Sequence, residues 1–345
     1  MNQIQQEDIR QFARTFEMAN QLKDSTFLIT GATGLIGSTL IHCLLSLNNG
    51  IRVLAPVRNI SKTDGLFSPE EKTQIEFIEC NLQESIFSDI QAADYIIHCA
   101  APTSSRYFVS HPAETFDSIL TITRNILTYA QRTRPSGLLY LSSLEVYGEI
   151  KDDTESITES VQGYLDPLDV RSSYPMAKRA AETLCHIYSK EYGLNIKIAR
   201  LTQTTGAGID SNDNRIIAQF ARLAANHEDI VLHTTGESAR PYCYTTDCIS
   251  ALLYILLKGE NGEAYNVANE STYISARGMA EFLKTNFATD INIQIQLSDN
   301  QGYAPPTKQR LSTNKLESLG WVPQYGLKEI FERLIASMQT EKTKS

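Results

Sequence analysis

The chain has 345 residues, 31 Lys and Arg against 40 Asp and Glu, a formal net charge of −9 and 42% hydrophobic residues. That length and apolar content bury a sizeable core, as one large or two interlocked domains. The acidic balance argues against nucleic acid or an acidic membrane as partner, so an anionic substrate has to be met by a few placed arginines.

The start, MNQIQQEDIRQFARTF, is too polar for a signal peptide, and no apolar run approaches membrane-spanning length. Residues 5–22 are predicted as an amphipathic helix, with Ile9, Phe12, Phe16 and Leu22 at roughly helical spacing. This extension, residues 1–24, reads as a packing or dimer element. The apolar Phe27-Leu28-Ile29 then runs into Thr30-Gly31-Ala32-Thr33-Gly34-Leu35-Ile36-Gly37 and a helical pattern from Leu35 to Leu47. A strand, three glycines at GxxGxxG spacing and a helix make a dinucleotide cradle. The first glycine allows the sharp turn, the second lets the backbone approach a pyrophosphate, and the third lets helix and strand pack closely. The helix N-terminus then holds the phosphate charge. Gly31, Thr33, Gly34, Leu35, Ile36 and Gly37 are the expected cofactor loop.

Further strands are predicted at Arg52–Val57, Ile75–Ile78, Tyr95–His98, Leu138–Leu141 and Asn195–Leu201, with helices at Ala113–Arg132 and Tyr174–Tyr192. The alternation implies an α/β fold, a Rossmann-type doubly wound parallel sheet over residues 25–205. From 206 to 338 the pattern loosens into a smaller C-terminal substrate-binding lobe, with short strands such as Ile230–His233 and Ala264–Val267, and the chain is expected to cross between lobes. Leu252–Leu257 reads as a core helix and residues 339–345 as a disordered tail. The six cysteines, at 43, 80, 99, 185, 243 and 248, lack metal-ligand spacing and read as reduced thiols of a cytoplasmic protein. His98, His186 and His233 lie in apolar runs and read as packed core, and no metal site is expected.

Tyr174-Pro175-Met176-Ala177-Lys178 opens a helix, and the four-residue separation puts phenol and ammonium on one face. A lysine cation beside a phenol favours the phenolate, which can take a proton from a sugar hydroxyl. Upstream, Leu138–Leu141 is a strand that delivers Ser143 and Glu145 at its end, where a doubly wound sheet keeps its chemistry.

With these residues the chain resembles the extended short-chain dehydrogenase/reductases of the nucleotide-sugar epimerase/dehydratase family, from about Ser25 to about Met338. The stretches Ser143–Gly148, Ser173–Leu184, Ala199–Gly206, Asn214–Phe220, Gly236–Arg240 and Leu319–Pro323 are most similar to UDP-glucuronate decarboxylases. The resemblance implies oxidation at C4 of a sugar carried on a nucleoside diphosphate. It makes Tyr174 the base, Lys178 the group that lowers its pKa, and Ser143 the partner of the reacting oxygen. It places Asn81, Leu82, Ala100 and Ala101 along the cofactor, and Arg215, Arg240 and Arg310 near the substrate diphosphate. Gln203 stands where the family usually has Asn, and Ser104 and Arg106 fall near the sugar C6. A homodimer through the helices at Ala113–Arg132 and Tyr174–Tyr192 is also implied.

Two residues bear on the reaction. Dehydratases of this family carry Asp where this chain has Leu144, and leucine cannot donate a proton to departing water. A 4-keto uronic acid loses carbon dioxide without such an acid, so decarboxylation is favoured, with Glu145 at C5 or C6. The second strand ends Val57-Arg58-Asn59 with no carboxylate for a ribose hydroxyl, and Arg58 suits a 2′-phosphate. The cofactor is NADP(H) or NAD, with a lean to NADP(H), although the resemblance implies NAD. The alternatives are an NADPH-dependent reductase of a nucleotide-linked keto sugar and a non-catalytic NADP-binding sensor.

Overall fold

Strands whose side chains are apolar on both faces need cover on both sides, and that requirement organises the molecule. The computed structural model describes residues 1–84, 90–150, 153–210, 212–297 and 306–342. Helix α1 (Gln3–Thr15) is closed at its start by a reciprocal Asn2–Gln5 capping box. After it come β1 (Thr26–Thr30), α2 (Leu35–Ser46), β2 (Arg52–Val57), the single turn α3 (Pro69–Lys72), β3 (Ile75–Glu79) and β4 (Tyr95–His98). Next are α4 (Ser105–Ser110), α5 (Pro112–Thr133), β5 (Gly137–Ser143), α6 (Ser173–Tyr192), β6 (Ile196–Leu201) and β7 (Gln203–Thr205). The chain continues through α7 (Ile216–Ala225), β8 (Ile230–Leu232), β9 (Ala239–Tyr244), α8 (Thr245–Lys258), β10 (Ala264–Val267) and β11 (Asn269–Ser275). It closes with α9 (Ala276–Asn286), β12 (Ile293–Ile295), α10 (Asn314–Glu317) and α11 (Leu327–Lys342).

Seven strands form one parallel sheet in the order β10-β6-β5-β4-β1-β2-β3. Alternate side chains divide between its faces. Phe27 and Ile29 join a core under α1, α2 and α8, with Phe12, Leu40 and Leu252. Leu28 joins the opposite core under α5 and α6, with Ile126, Ala177 and Ala181. The strand order reverses between β1 and β4, and a doubly wound sheet opens its ligand crevice at such a point. A three-stranded sheet, β11-β9-β7, and the pair β12-β8 belong to the second lobe. That lobe has its own core, where Phe220, Met279, Leu283, Phe331 and Leu334 bring α7, α9 and α11 together.

Three elements differ from the sequence expectation. Ala264–Val267 is β10, the edge strand of the main sheet, paired parallel to β6 from Ala264↔Ile198 to Val267↔Leu201. Burial of Tyr265 and Val267 against the α8 side holds it there. The N-terminal helix stops at Thr15, and a separate 3₁₀ turn, Ala19–Leu22, sinks Leu22 into the core. Phe16, just past the helix end, stacks on Phe12 at 5.1 Å. At the other end α11 runs to Lys342, past the point where disorder was expected, because Ile330, Phe331 and Leu334 dock it and Met338 packs against the same core. Residues 343–345 lie outside the described residues. Among the described residues no helix is long and apolar enough to cross a membrane, and no three His, Cys, Asp or Glu side chains gather into a metal cluster.

Candidate active site

The glycine loop fills the reversal point of the sheet. Gly31 has φ +73°, and a Cβ on it would lie 3.1 Å from Ala100 N and from the Cys99 carbonyl carbon, so β1 and β4 end in near contact. A Cβ on Gly37 would sit 2.2 Å from Gly31 O, which leaves room for glycine alone. Gly34, the N-cap of α2, donates its amide to Gly31 O at 3.0 Å and offers no side-chain cap. The first amides of α2, at Leu35, Ile36 and Gly37, therefore face the crevice with the positive end of the helix dipole behind them. Thr30 ties the two strand ends: its hydroxyl accepts the Ala100 amide at 3.1 Å and bonds His98 Nδ1 at 2.8 Å. Burial, with help from the Lys178 charge, pushes His98 down to about 3, so it is a neutral core residue.

Along the rim, Arg58 follows β2 directly, is exposed, and makes no ion pair among the described residues. Its neighbour Asn59 caps the 3₁₀ turn Ile60–Thr63. Asn81 lies two residues beyond β3, where its side chain accepts Gln83 N and donates to Glu84. Leu82 is buried, and its carbonyl accepts from Asn125 of α5. Ala100 and Ala101 are partly buried beside Gly31.

The YxxxK pair sits on α6 facing the end of β5. Lys178 is buried, donates to Leu141 O at 2.7 Å, and lies 4.8 Å from the Tyr140 ring and 5.8 Å from the Tyr174 ring. Burial lowers it to about 8, with Glu182 opposing, so its ammonium is complete well below that pH and fades as pH rises through it. Tyr174 is buried, which pushes its phenol far up. The nearby Glu145 carboxylate adds to the rise, and a hydrogen bond with Ser143 opposes it. Ser143 also caps the 3₁₀ turn Leu144–Tyr147, accepting Glu145 N at 3.2 Å. The Glu145 carboxyl is raised by burial and drawn back down by the charges of Arg240 on β9 and Arg171 before α6. The fold thus brings Ser143, Glu145, Tyr174, Lys178 and Arg240 together. Leu144 turns away into a small apolar core with Val146, Ile157 and Leu311.

The remaining candidates are spread around this cluster. Gln203 opens β7, and its Oε1 is buried with no hydrogen-bond partner among the described residues. Arg215, the N-cap of α7, grips Asp213 through Nε and Nη2 and gives Nη1 to Thr204 O at 2.6 Å. Each terminal nitrogen keeps a second N–H. Arg310 is exposed and stacks on Tyr273 at 4.7 Å. Ser104 and Arg106 are exposed at the start of α4.

Two features escaped the sequence reading. Phe108, the buried residue of α4, stacks on Tyr174 with centroids 4.9 Å apart and planes at 13°. A lone phenylalanine in so short a segment carries no periodic signal. The second feature is a buried ion pair, Arg200–Glu182, at 2.7 Å. Glu182 also accepts the Ser142 hydroxyl at 2.5 Å, next to Ser143. Arg200 donates to the Tyr147 hydroxyl at 3.1 Å and to Glu159 O at 2.8 Å, and the Tyr147 hydroxyl donates to Asn266 Oδ1 of β10.

The profile of the NAD dependent epimerase/dehydratase family matches residues 27–268. The chain belongs to this family. It is 28% identical over 319 residues to UDP-glucuronic acid decarboxylase 6 of Arabidopsis thaliana, covering 90% of each chain. Its fold matches the UDP-glucuronic acid 4-epimerase of Bacillus cereus, solved with UDP-glucuronic acid and NAD, at TM-score 0.78 and 21% identity over 92% of this chain and 99% of that one. It also matches RMD of Pseudomonas aeruginosa, complexed with NADPH, at TM-score 0.72 and 22% identity over the same shares. Members of this family bind a nicotinamide nucleotide, and the glycine loop of this chain, packed too closely at Gly31 and Gly37 for a side chain, fits such a group.

The Glu182–Arg200 pair generates a stability prediction. Glu182→Gln leaves Arg200 buried without its counter-charge, which costs about 3–5 kcal/mol. Replacing both by methionine should cost less than Glu182→Gln alone; urea unfolding of the three proteins measures the difference.

Proposed function

We propose that the protein is a nicotinamide-dependent enzyme that acts on a nucleoside-diphosphate sugar by first oxidising C4, with decarboxylation of a uronic acid as the favoured outcome. The observation that carries this reading is the cluster of Ser143, Tyr174 and Lys178 at the end of β5, beside the glycine loop, with Glu145 held between Tyr174 and Arg240. The bound nicotinamide supplies reversible acceptance of hydride from C4. Tyr174 Oη takes the O4 proton, Ser143 Oγ holds O4, and the Lys178 ammonium favours the phenolate. In a 4-keto uronic acid the carboxylate is β to the ketone. The C5–C6 bond then breaks, its electron pair moves to C5 and O4, and carbon dioxide leaves. Ser143 and the Tyr174 phenol stabilise the resulting enolate, and C5 takes a proton. Glu145 is assigned the control of protonation at C5. The UDP-glucuronic acid decarboxylase relatives support this outcome, and Leu144, buried in its own core, supplies no acid for dehydration.

We assign the adenosine end to Arg58, which favours NADP(H) over NAD; a fold neighbour with NADPH and another with NAD support nicotinamide nucleotides of both kinds. Arg215, Arg240 and Arg310 are assigned to the diphosphate, Gln203 to the nucleotide side, and Ser104 and Arg106 to the C6 end. We assign 25–205 to the cofactor and 206–338 mainly to the substrate, with the chain crossing back to the first lobe at α8 and β10. Six unpaired cysteines support a reducing, cytoplasmic setting. A net-reduction reading, with Tyr174 as acid, draws on Arg58 alone.

Tyr174→Phe should lower turnover by roughly a hundred- to ten-thousandfold with cofactor affinity retained. Glu145→Gln should still oxidise C4 and stall with reduced cofactor, visible as absorbance at the nicotinamide band; a mild effect would instead indicate a simple C4 epimerase or reductase. Arg58→Ala should weaken NADP(H) more than NAD in fluorescence titrations, and equal losses would remove Arg58 from the cofactor site.

The outward faces of α5 and α6 support a homodimer. Phe116 and Ile187 are exposed there, and Leu120, Leu184 and Tyr188 only partly covered, at i, i+4 and i, i+3 spacings. Light scattering at micromolar concentration should give twice the chain mass, and Ile187→Glu should halve it.

A further inference from the structure

The family match begins at residue 27, so α1 lies outside it, yet α1 is built into the second lobe. Asn2 donates to Ser337 of α11 at 2.8 Å. Asp8 is 4% exposed and accepts two donors, Arg333 of α11 at 2.5 Å and the hydroxyl of Tyr244, at the end of β9, at 2.5 Å. The same Tyr244 oxygen accepts the Ala207 amide at 3.3 Å. One turn earlier on α1, the Gln5 side chain lies against Gly208, which has φ +88°; a Cβ there would meet Gln5 Nε2 at 1.9 Å. Helix α1 therefore reaches residues 207–208 by two routes, one through Tyr244 and one directly.

That segment leads from β7 to Arg215. Among its described residues the backbone bonds Ile209 N to Gly206 O and Asp213 N to Asp210 O close turns inside the loop, while Ile209 packs into the second lobe's core and Arg222 of α7 donates to Asp213 O at 3.2 Å. Arg215 inherits the loop's position, since both of its anchors, Asp213 and Thr204, are at or beside the loop's ends. We propose that α1 is a strap that sets the Ala207–Gly208 start of the loop leading to Arg215, and that Asp8, acting through Tyr244, is a positioning residue for the diphosphate end of the substrate. The proposal rests on the assignment of Arg215 to the diphosphate. Loss of the Asp8 carboxylate leaves Tyr244 without its acceptor and Arg333 without its partner, and a buried group without a partner moves toward one. The Ala207–Gly208 end of the loop then loses its tie through Tyr244, while the glycine loop keeps its own contacts with Cys99 and Ala100.

The test titrates UDP and, separately, NAD⁺ into the full chain by calorimetry, for the wild type, Asp8→Ala, Asp8→Asn, Tyr244→Phe, the Asp8→Ala/Tyr244→Phe double variant and Arg215→Met. Asp8→Ala and Tyr244→Phe should each weaken UDP by about five- to tenfold, the range expected for one buried hydrogen bond. The double variant should lose no more than Asp8→Ala, and Asp8→Asn, which still accepts from Tyr244, should recover most of the affinity. NAD⁺ affinity should stay within about twofold of wild type, since one hydrogen bond at a distant lobe does not reach it. Unchanged UDP affinity in Tyr244→Phe, or parallel losses of UDP and NAD⁺, would overturn the strap. Arg215→Met separates the two ideas. If it weakens UDP while Asp8→Ala and Tyr244→Phe do not, the strap alone fails. If it leaves UDP affinity intact, the assignment of Arg215 fails and the strap's purpose fails with it. Should Asp8→Ala not fold, Tyr244→Phe, which removes a single hydroxyl, decides the matter by itself.

Discussion

Glu182 and Arg200 meet beneath the end of β5, and a charge buried that deeply has to keep its partner. Their hydrogen bonds reach Ser142 on β5, the Tyr147 turn, the carbonyl of Glu159 and, through Tyr147, Asn266 on β10. Asn266 in turn donates to the carbonyls of Ile157 and Ser312. Burial alone would lower the Arg200 pKa, yet contact with Glu182 lifts it above the usual arginine range. The ion pair is thus the floor on which the turn carrying Ser143 and Glu145 rests. Arg179, on the same helix, adds a second tie by donating to Val146 O at 2.6 Å and to Gly163 O at 2.8 Å. Local sequence does not impose the geometry of that turn; the charges under it do.

The same cluster perturbs two ionisable groups. Burial acts on Tyr174 and Lys178 in opposite directions, raising the phenol and lowering the ammonium. The Glu145 carboxylate adds to the rise of the phenol, and a hydrogen bond with Ser143 opposes it. Phe108, stacked on the tyrosine ring, keeps water from that face and holds the phenol in one orientation. Arg240, arriving from the second lobe, offsets the Glu145 charge, so the electrostatics of the first lobe are completed by the second.

Much of this was legible in the sequence because the signals are local. A strand followed by three spaced glycines is a local pattern, and the first and third answer close contacts in the fold, such as the 2.2 Å approach of a Gly37 Cβ to Gly31 O. The YxxxK spacing is likewise a property of one helix. What stayed hidden depends on long-range pairing. Ala264–Val267 is too short to declare its sheet, and only its ladder with β6 shows that it belongs to the main one. Glu182 and Arg200 lie 18 residues apart on different elements, each in a stretch where a charged residue reads as surface. Arg58 carried weight in the sequence because the second strand ends without a carboxylate, and Arg310 because of the family resemblance. In the fold Arg58 is exposed at a strand end and Arg310 rests on Tyr273.

Because β10 lies at the edge of the main sheet and α11 holds Asn2 and Asp8, the two ends of the chain are mutual supports. A ribosome delivers them at opposite times. The glycine loop and the first strands emerge early, but their sheet lacks its last strand until residue 267 is out. Asp8 waits, with its carboxylate solvated, until Arg333 appears. Folding of this chain is therefore completed from its C-terminus, and a nascent chain stopped short of α11 would have to bury Asp8 without Arg333 and would expose the second lobe's apolar core, which α11 covers with Ile330, Phe331 and Leu334, to chaperones and to aggregation.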